Sequence, residues 1–350
     1  MNSPVEFTDG EFRSNDASLA MNQHPIVFAV VLNYNGAEDT KECVNSLQRC
    51  GYPNLNIVLV DNASPDGSAA VLARTFPNLP LIRQRTNGGY SAGNNAGIRY
   101  AMENKADYVL IINHDVVVEP GFLEPMVSMM ERESDIGVIN PKLFYRSHPD
   151  DIFSAVSEFS YWRCTGRNIG SNRAALRSTT LECEVSNICG AALLVRSKVF
   201  EVVGLFDERF FMYFEDVEFS RRVRQKFRLA YTARSVGYHK SGGGKGWRNY
   251  TELYLYYHTR NRFLVFNDAI WLYKIYVSLF TTMNSIAKSI LIFQNVLHNK
   301  ERTKDQLTAL WRGWKDGISI YIKGLLELVL RMKAKPFRTH KFRRESQKQS

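Results

Sequence analysis

Three apolar runs, each halted by a polar cluster, constrain what this chain can fold into more than anything else in it. Pro25–Leu32 is continuously apolar and breaks at Asn33-Tyr34-Asn35-Gly36. Asn56–Val60 runs into Asp61–Gly67, and Tyr108–Ile112 into Asn113-His114-Asp115. A run without polar alternation suits a strand covered on both faces, as in a parallel sheet. Helical patterns lie between: Glu38–Cys50, with Cys43, Leu47 and Cys50 in phase, and then Ser68–Phe76. A further strand is expected near Leu81–Gln84, and the glycine-rich Asn87–Gly97 opens a helix that reaches Asn104. The order βαβαβαβ predicts an α/β fold, a mostly parallel sheet with helices on both faces. Ligands of such sheets sit beyond the carboxyl ends of the strands, where all three polar clusters fall.

A chain of 350 residues can bury a full core in one large domain or two. Its net charge of +10 is concentrated: residues 298–350 hold 14 Lys/Arg against 5 Asp/Glu, and the preceding 297 hold 31 against 30. A basic tail points to an anionic surface, lipid head groups or nucleic acid. No nucleic-acid-binding motif accompanies it and its neighbours are apolar, so a membrane surface is the expected partner and nucleic acid is not. Cys43, Cys50, Cys164, Cys183 and Cys189 form neither a metal-ligand spacing nor an even disulfide set, and read as free thiols of a reducing compartment. Residues 1–24 are polar, of mixed charge and without an apolar core, which predicts a disordered lead-in rather than a signal peptide.

Candidate chemistry sits on a few acidic residues. In Phe206–Glu218, Glu215 and Asp216 directly follow Phe211-Met212-Tyr213-Phe214. Apolar surroundings raise a carboxyl pKa unless a cation or hydrogen bonds hold the charge, so this pair supplies candidates for a general base. The same residues suit a helix N-terminus, where acidic side chains complement the dipole. Asp61, at a strand tip, could accept hydrogen bonds from a base or ribose, or simply start an Asx-turn through Asn62, Ser64, Pro65 and Gly67. Glycines 88, 89, 93 and 97 do not fit G-x-G-x-x-G and follow the third strand, which argues against a nicotinamide-dependent oxidoreductase. The free N–H groups of the helix they open still favour an anion. Asp115 suits a hard divalent cation that bridges diphosphate oxygens. His239 lies in the glycine-rich Tyr238–Gly246, although a lone histidine is ordinarily a plain surface or core residue.

Taken in order, Val31–Gly36, Val60–Ser64, Asn87–Gly97, Asn113–Asp115, Cys189–Arg196, Gly204–Asp216 and His239 resemble the family-two inverting glycosyltransferases of the GT-A fold, in the rhamnosyltransferase-like branch. The resemblance covers residues 25–265 and implies a Rossmann-like sheet flanked by helices. It implies a nucleoside-diphosphate sugar donor bound by Asn33, Asn35, Asp61, Asn87, Gly88, Asn95 and Asp115, with Asp61 on the base. Asp115 matches the last acidic position of the DxD-type motif, which with His239 would hold Mg²⁺ or Mn²⁺. Asp216 matches the base that deprotonates the acceptor hydroxyl. One departure is Asn113, where the motif has Asp, so a single carboxylate remains and the role of His114 stands open. An inactive relative that only binds nucleotide-sugar is the alternative this departure keeps open. A single base suffices for one inverting displacement, because a diphosphate leaving group neutralised by a cation needs no general acid. The branch further implies a rhamnose donor and lipid-linked glycan acceptors of bacterial surface polysaccharides.

The domain expectation is a lead-in over 1–24, a catalytic domain over 25–265, a helical extension over 266–330 and a basic tail over 331–350. Within Ile270–Leu297 the longest uncharged stretch, between Lys274 and Lys288, is thirteen residues. That is short of the roughly 18–20 that span a bilayer, so an interfacial helix is expected and the enzyme would sit peripherally on the cytoplasmic face of the cell membrane. A helical cap on the catalytic domain or a homo-oligomer interface would use the same apolar residues. Residues 145–187, rich in Arg, Ser and Asn, read as an insertion that is mobile or faces the acceptor.

Overall fold

The computed structural model describes residues 24–168, 180–240, 250–294 and 300–334. The lead-in up to residue 23, residues 169–179 of the expected insertion, the glycine-rich 241–249 and the tail from 335 lie outside them. The chain runs β1 (Val27–Asn33), α1 (Ala37–Gln48), β2 (Leu55–Asp61), α2 (Ser68–Thr75), β3 (Leu81–Arg83), α3 (Gly89–Glu103), β4 (Tyr108–Asn113) and β5 (Val116–Val118). It continues through α4 (Glu124–Arg132), β6 (Ile136–Tyr145), β7 (His148–Ser154), β8 (Ser157–Ser160), β9 (Thr165–Asn168), β10 (Glu182–Val185) and β11 (Ala192–Arg196). Last come α5 (Ser197–Val203), α6 (Glu215–Val223), β12 (Arg228–His239), α7 (Glu252–Val265), α8 (Trp271–Phe293) and α9 (Lys300–Ala334).

The main sheet is ordered β10-β12-β6-β11-β4-β1-β2-β3, with β5 on β12 and β7 on β6. Strands β3, β2, β1 and β4 are mutually parallel, as expected; β11 then runs antiparallel to both β4 and β6. The unbroken apolar runs have a direct physical cause. Ala29, Val31, Ile57 and Leu59 face one core with Cys43, Val44 and Leu47 of α1. Phe28, Val30, Val58 and Val60 face the other with Ile98 and Ala101 of α3. Cys43 and Cys50 are packing residues, and none of the five cysteines is in a disulfide.

The chain divides into two compact units: residues 1–158, 166–209 and 219–241 form an α/β unit, and 159–165, 210–218 and 242–350 a helical one. In this division α7 groups with the later helices. Gly313 of α9 lies so close to the Tyr256 backbone, and Gly317 to the Phe263 ring, that a Cβ on either would collide. The Tyr256 hydroxyl donates to Asp316 at 2.7 Å, and Phe263 meets Tyr321 edge-on at 5.3 Å. The expected extension is helical, and the stretch read as an insertion contributes β7 to β10 among its described residues.

Candidate active site

Strand register assembles the polar clusters of the α/β unit. Asn33 of β1 pairs with Asp61 of β2, and Leu32 with Asn113 of β4. His239 ends β12 opposite Val116 of β5, the residue after Asp115. The carboxyl ends of β1, β2, β4 and β12 thus carry Asn33, Asp61, Asn113 and His239. A depression of about 580 Å³ near Ile26, Asp107, Tyr108 and Arg196 opens at the other end of β1 and β4, and holds none of the predicted site residues.

Asn33, wholly buried, joins the first two clusters. Its Nδ2 lies 2.7 Å from Asp61 Oδ1, 2.9 Å from Ser68 Oγ and 3.1 Å from Ser64 Oγ. Its Oδ1 accepts from the Thr40 hydroxyl at 2.9 Å. Asp61 Oδ2 accepts from the Ser64 N–H at 3.1 Å, so Asp61 does start the turn. Each carboxylate oxygen takes one of these bonds, which leaves acceptor capacity on both for a ligand. Asn35 (φ 54°) and Ala63 (φ 59°) are left-handed, a conformation that costs a non-glycine residue about 1–3 kcal/mol. The Asn35 N–H bonds to Ser64 Oγ at 3.1 Å.

Asn62 was not singled out by the sequence, beyond its place in the turn after Asp61. Its Nδ2 donates to Asn87 Oδ1 and Gly89 O, both at 2.9 Å, and its Oδ1 accepts from the Gly88 N–H at 3.2 Å. It ties the second loop to the glycine-rich turn. Further along that run the glycines serve packing: a Cβ on Gly93 would collide with Leu32, and one on Gly97 with Val30. Asn95 is buried and bonded to Phe206 and Glu208: its Nδ2 donates to Phe206 O and Glu208 Oε1, both at 2.9 Å, and its Oδ1 accepts from the Phe206 N–H. Its amide therefore anchors α3 to that segment.

At the third cluster, Asp115 Oδ1 lies 3.2 Å from His239 Nε2, and Asn113 Nδ2 lies 3.4 Å from the same nitrogen. The two contacts ask for opposite tautomers: Nε2 must carry a proton to bond Asp115 and a lone pair to accept from Asn113. Burial raises the Asp115 pKa, but the hydrogen bond and charge of His239 outweigh it and hold the carboxyl below its ordinary value. The Phe153 ring lies 4.3 Å from the His239 imidazole and fixes its plane. His114, whose role the sequence left open, braces the first loop. Its Nδ1 sits 3.1 Å from Leu32 O, and its ring fills the space beside Gly36 that a Cβ would need.

In the helical unit, Asp216 is the second residue of α6 and is half-buried, with its Oδ1 accepting from the Val217 N–H at 2.8 Å. The helix starts abruptly. Tyr213 (φ 67°) and Phe214 (φ 72°) are both left-handed, and the Phe214 carbonyl accepts from the Glu218 N–H at 2.9 Å. Two such residues in sequence store about 1–3 kcal/mol each. Glu215 is 7% exposed, and its Oε2 has no partner among the described residues. Burial first, and the neighbouring Asp216 charge second, push the Glu215 carboxyl well above its ordinary value.

The sequence profile of glycosyl transferase family 2 matches residues 28–204. The chain belongs to that family. It is 26% identical over 198 residues to the low-salt glycan biosynthesis hexosyltransferase Agl10 of Haloferax volcanii, a match covering 56% of this chain and 61% of the relative. It is 25% identical over 215 residues to an N-acetylglucosaminyl-diphospho-decaprenol L-rhamnosyltransferase of Mycobacterium tuberculosis, covering 55% and 69%. Among solved structures, the Pyrobaculum calidifontis mannosyltransferase PcManGT in complex with GDP-Man and Mn²⁺ superposes with a TM-score of 0.51 at 16% identity, covering 87% of this chain and 88% of that one. That likeness establishes the GT-A type of fold.

Within this family-2 chain the Asp115 region fits a divalent cation. A carboxylate oxygen and an imidazole nitrogen face each other at 3.2 Å, and a bound cation would resolve the tautomer conflict at Nε2. No group of three or more His, Cys, Asp or Glu residues gathers among the described residues.

Proposed function

We propose that this protein is an inverting glycosyltransferase that moves a hexosyl or deoxyhexosyl group from a nucleoside-diphosphate sugar to a hydroxyl of a glycan acceptor. The observation that carries the reading is the bonded set Asn33–Asp61–Ser64, joined through Asn62 to Asn87 and Gly88, at the same strand ends as Asp115 and His239. Asn33, Asn35, Asp61, Asn87 and Gly88 would cradle the nucleotide, and Asp115 the diphosphate side. Asp115 and His239 would hold a divalent cation, whose positive charge would offset that of the departing diphosphate. Asp216 takes the proton of the acceptor hydroxyl as that oxygen bonds to the anomeric carbon. The bond from that carbon to the diphosphate oxygen breaks with its electron pair, and the configuration inverts.

The name of the Mycobacterium tuberculosis relative supports rhamnose as the transferred sugar and a lipid-diphosphate-linked glycan as acceptor. A lipid-linked acceptor suits an enzyme held at the membrane, and α8 supports this. Trp271, Leu272, Ile275, Leu279, Met283, Ile286, Ile290 and Phe293 are exposed along its length. Both of its lysines turn to the packed side, Lys274 over the Tyr321 ring and Lys288 over those of Tyr250 and Tyr254. The exposed stripe is therefore uncharged. By length and composition alone α8 could cross a bilayer. Its other face is packed, with Trp314 Nε1 donating to Thr282 and Trp311 Nε1 to Ser289, which favours lying in the interface. The basic tail would add about 1 kcal/mol per charge close to an anionic leaflet.

The test is nucleoside-diphosphate release from a panel of nucleotide-sugars, with and without Mg²⁺, Mn²⁺ and excess chelator. Turnover of one donor, supported by Mn²⁺ at least as well as by Mg²⁺, is expected with an imidazole in the site. Full activity in excess chelator would reject the cation, and binding of NAD(H) in preference to every nucleoside diphosphate would reject the reading itself.

A further inference from the structure

We propose that Asn261 is a positioning residue for the reaction, whose carboxamide holds the left-handed backbone pair Tyr213–Phe214 and so aims Asp216. The inference rests on the reading of Asp216 as the base. Asn261 is wholly buried, and its Nδ2 donates to two carbonyls, Met212 O at 2.8 Å and Tyr213 O at 2.7 Å. Its Oδ1 accepts from Arg260 Nε at 2.9 Å, so each polar atom of the amide is used.

Each of these carbonyls directly precedes a residue with positive φ, Tyr213 at 67° and Phe214 at 72°, a geometry that β-carbon-bearing residues adopt only when their surroundings impose it. Helix α6 starts at the next residue, and Asp216 is its second. The direction of the Asp216 side chain therefore follows from the turn, with no flexible link between. The rest of the grip comes from Tyr254, His258 and Arg262, at helical spacing from one another on α7. Tyr254 meets the Tyr213 ring edge-on at 5.3 Å, His258 meets Phe214 at 5.0 Å, and the Arg262 guanidinium lies 5.8 Å from the Phe214 ring. Ring contacts of this kind hold side chains. Of these four α7 side chains, Asn261 is the one that hydrogen-bonds the turn's backbone, at the Met212 and Tyr213 carbonyls.

The experiment compares Asn261→Asp, Asn261→Ala and Asn261→Gln with Asp216→Asn in the full-length chain. The readouts are donor turnover, nucleoside-diphosphate affinity and thermal melting. Asn261→Asp keeps the volume but turns two donors into acceptors facing two carbonyls. It should lower kcat roughly 100-fold, the scale of an ångström's misplacement, with donor KM and nucleoside-diphosphate affinity within about twofold. Asn261→Gln keeps the donors and should recover part of the loss; it stands in if the Asp variant does not fold. Glycine adopts the left-handed region without penalty, so Asn261→Ala should cost several-fold less turnover in a Tyr213→Gly background than in the wild type. The inference is overturned if Asp216→Asn is inactive while the folded Asn261 variants keep kcat within about threefold, or if the loss is the same with Tyr213→Gly. Unimpaired turnover in Asp216→Asn would instead remove the base assignment.

Discussion

In the α/β unit the buried amides and carboxylates around Asn33 come in bonded sets, whereas in the helical unit Glu215 is buried with an unpartnered Oε2 among the described residues and Arg262 and Lys288 lie beside ring faces. Asn33, Asp61 and Asn62 are each at most 3% exposed, and each makes at least two hydrogen bonds. Arg262 is 4% exposed, with its guanidinium 5.3 Å from Phe280 and its Nε without a partner among the described residues. Burial pushes the Lys288 ammonium down to about 8. A satisfied network has one arrangement and makes a rigid cradle. Buried groups that lack ionic partners are instead sensitive to pH and to what approaches them, a property suited to proton transfer.

The sharpest way to break the comparison is to remove the proposed base of the helical unit. Asp216→Asn should cut turnover by on the order of 10²–10⁴ while nucleoside-diphosphate affinity stays near wild type. Loss of affinity in parallel with turnover would mean that the two units do not divide the work in this way. Asp61→Asn tests the cradle, since it exchanges a charged acceptor for an amide. Donor affinity should fall roughly 10–100-fold, the worth of a hydrogen bond to a charged group, and titration calorimetry with a nucleoside diphosphate measures it.

Next comes the exposed face of the helical unit. Leu279→Lys with Met283→Lys puts two charges in the apolar stripe of α8 and should weaken partition onto anionic vesicles about tenfold or more, with turnover of soluble donor unchanged. Equal partition of variant and wild type in a flotation assay would discard the lipid-facing reading. The smallest effect concerns Glu215. Its pKa is raised in the fold above 4.5, so its protonated form stabilises the fold below about that pH, and the contribution is lost as pH rises through the higher folded value. Glu215→Gln should melt near wild type at pH 4 and above it at pH 8. A variant that melts lower at pH 8 would mean that the carboxylate is compensated in the interior.

The legibility of the site followed the range of the forces involved. Asp61 and Asp115 were read at strand ends because a buried strand announces itself by composition and its ligand end by where that composition stops, whereas His239 was read only in a glycine-rich loop and through the family resemblance. Asn62 escaped notice because an asparagine after a strand looks like any turn residue until its three partners at positions 87–89 are in place. Asn95 pointed the other way: the glycine-rich run around it resembled a ligand loop, but Gly93 and Gly97 are small so that α3 can approach β1. Asn261 gave no local sign, since its partners lie nearly fifty residues earlier.

By itself, the sequence determined the order of strands and helices in the first half, the parallel pairing around β1 and the polar loops at its end. Apolar periodicity and turn chemistry act between near neighbours and need no fold to be read. Tertiary structure decided what depends on distant segments meeting. It assigned α7 to the helices after it through the close approach of Gly313 and Gly317, turned both lysines of α8 away from its exposed stripe, and bent Tyr213–Phe214 into a conformation their side chains disfavour. Each of these costs local free energy and persists because packing elsewhere in the helical unit supplies more than it takes, a balance that no short window of sequence contains.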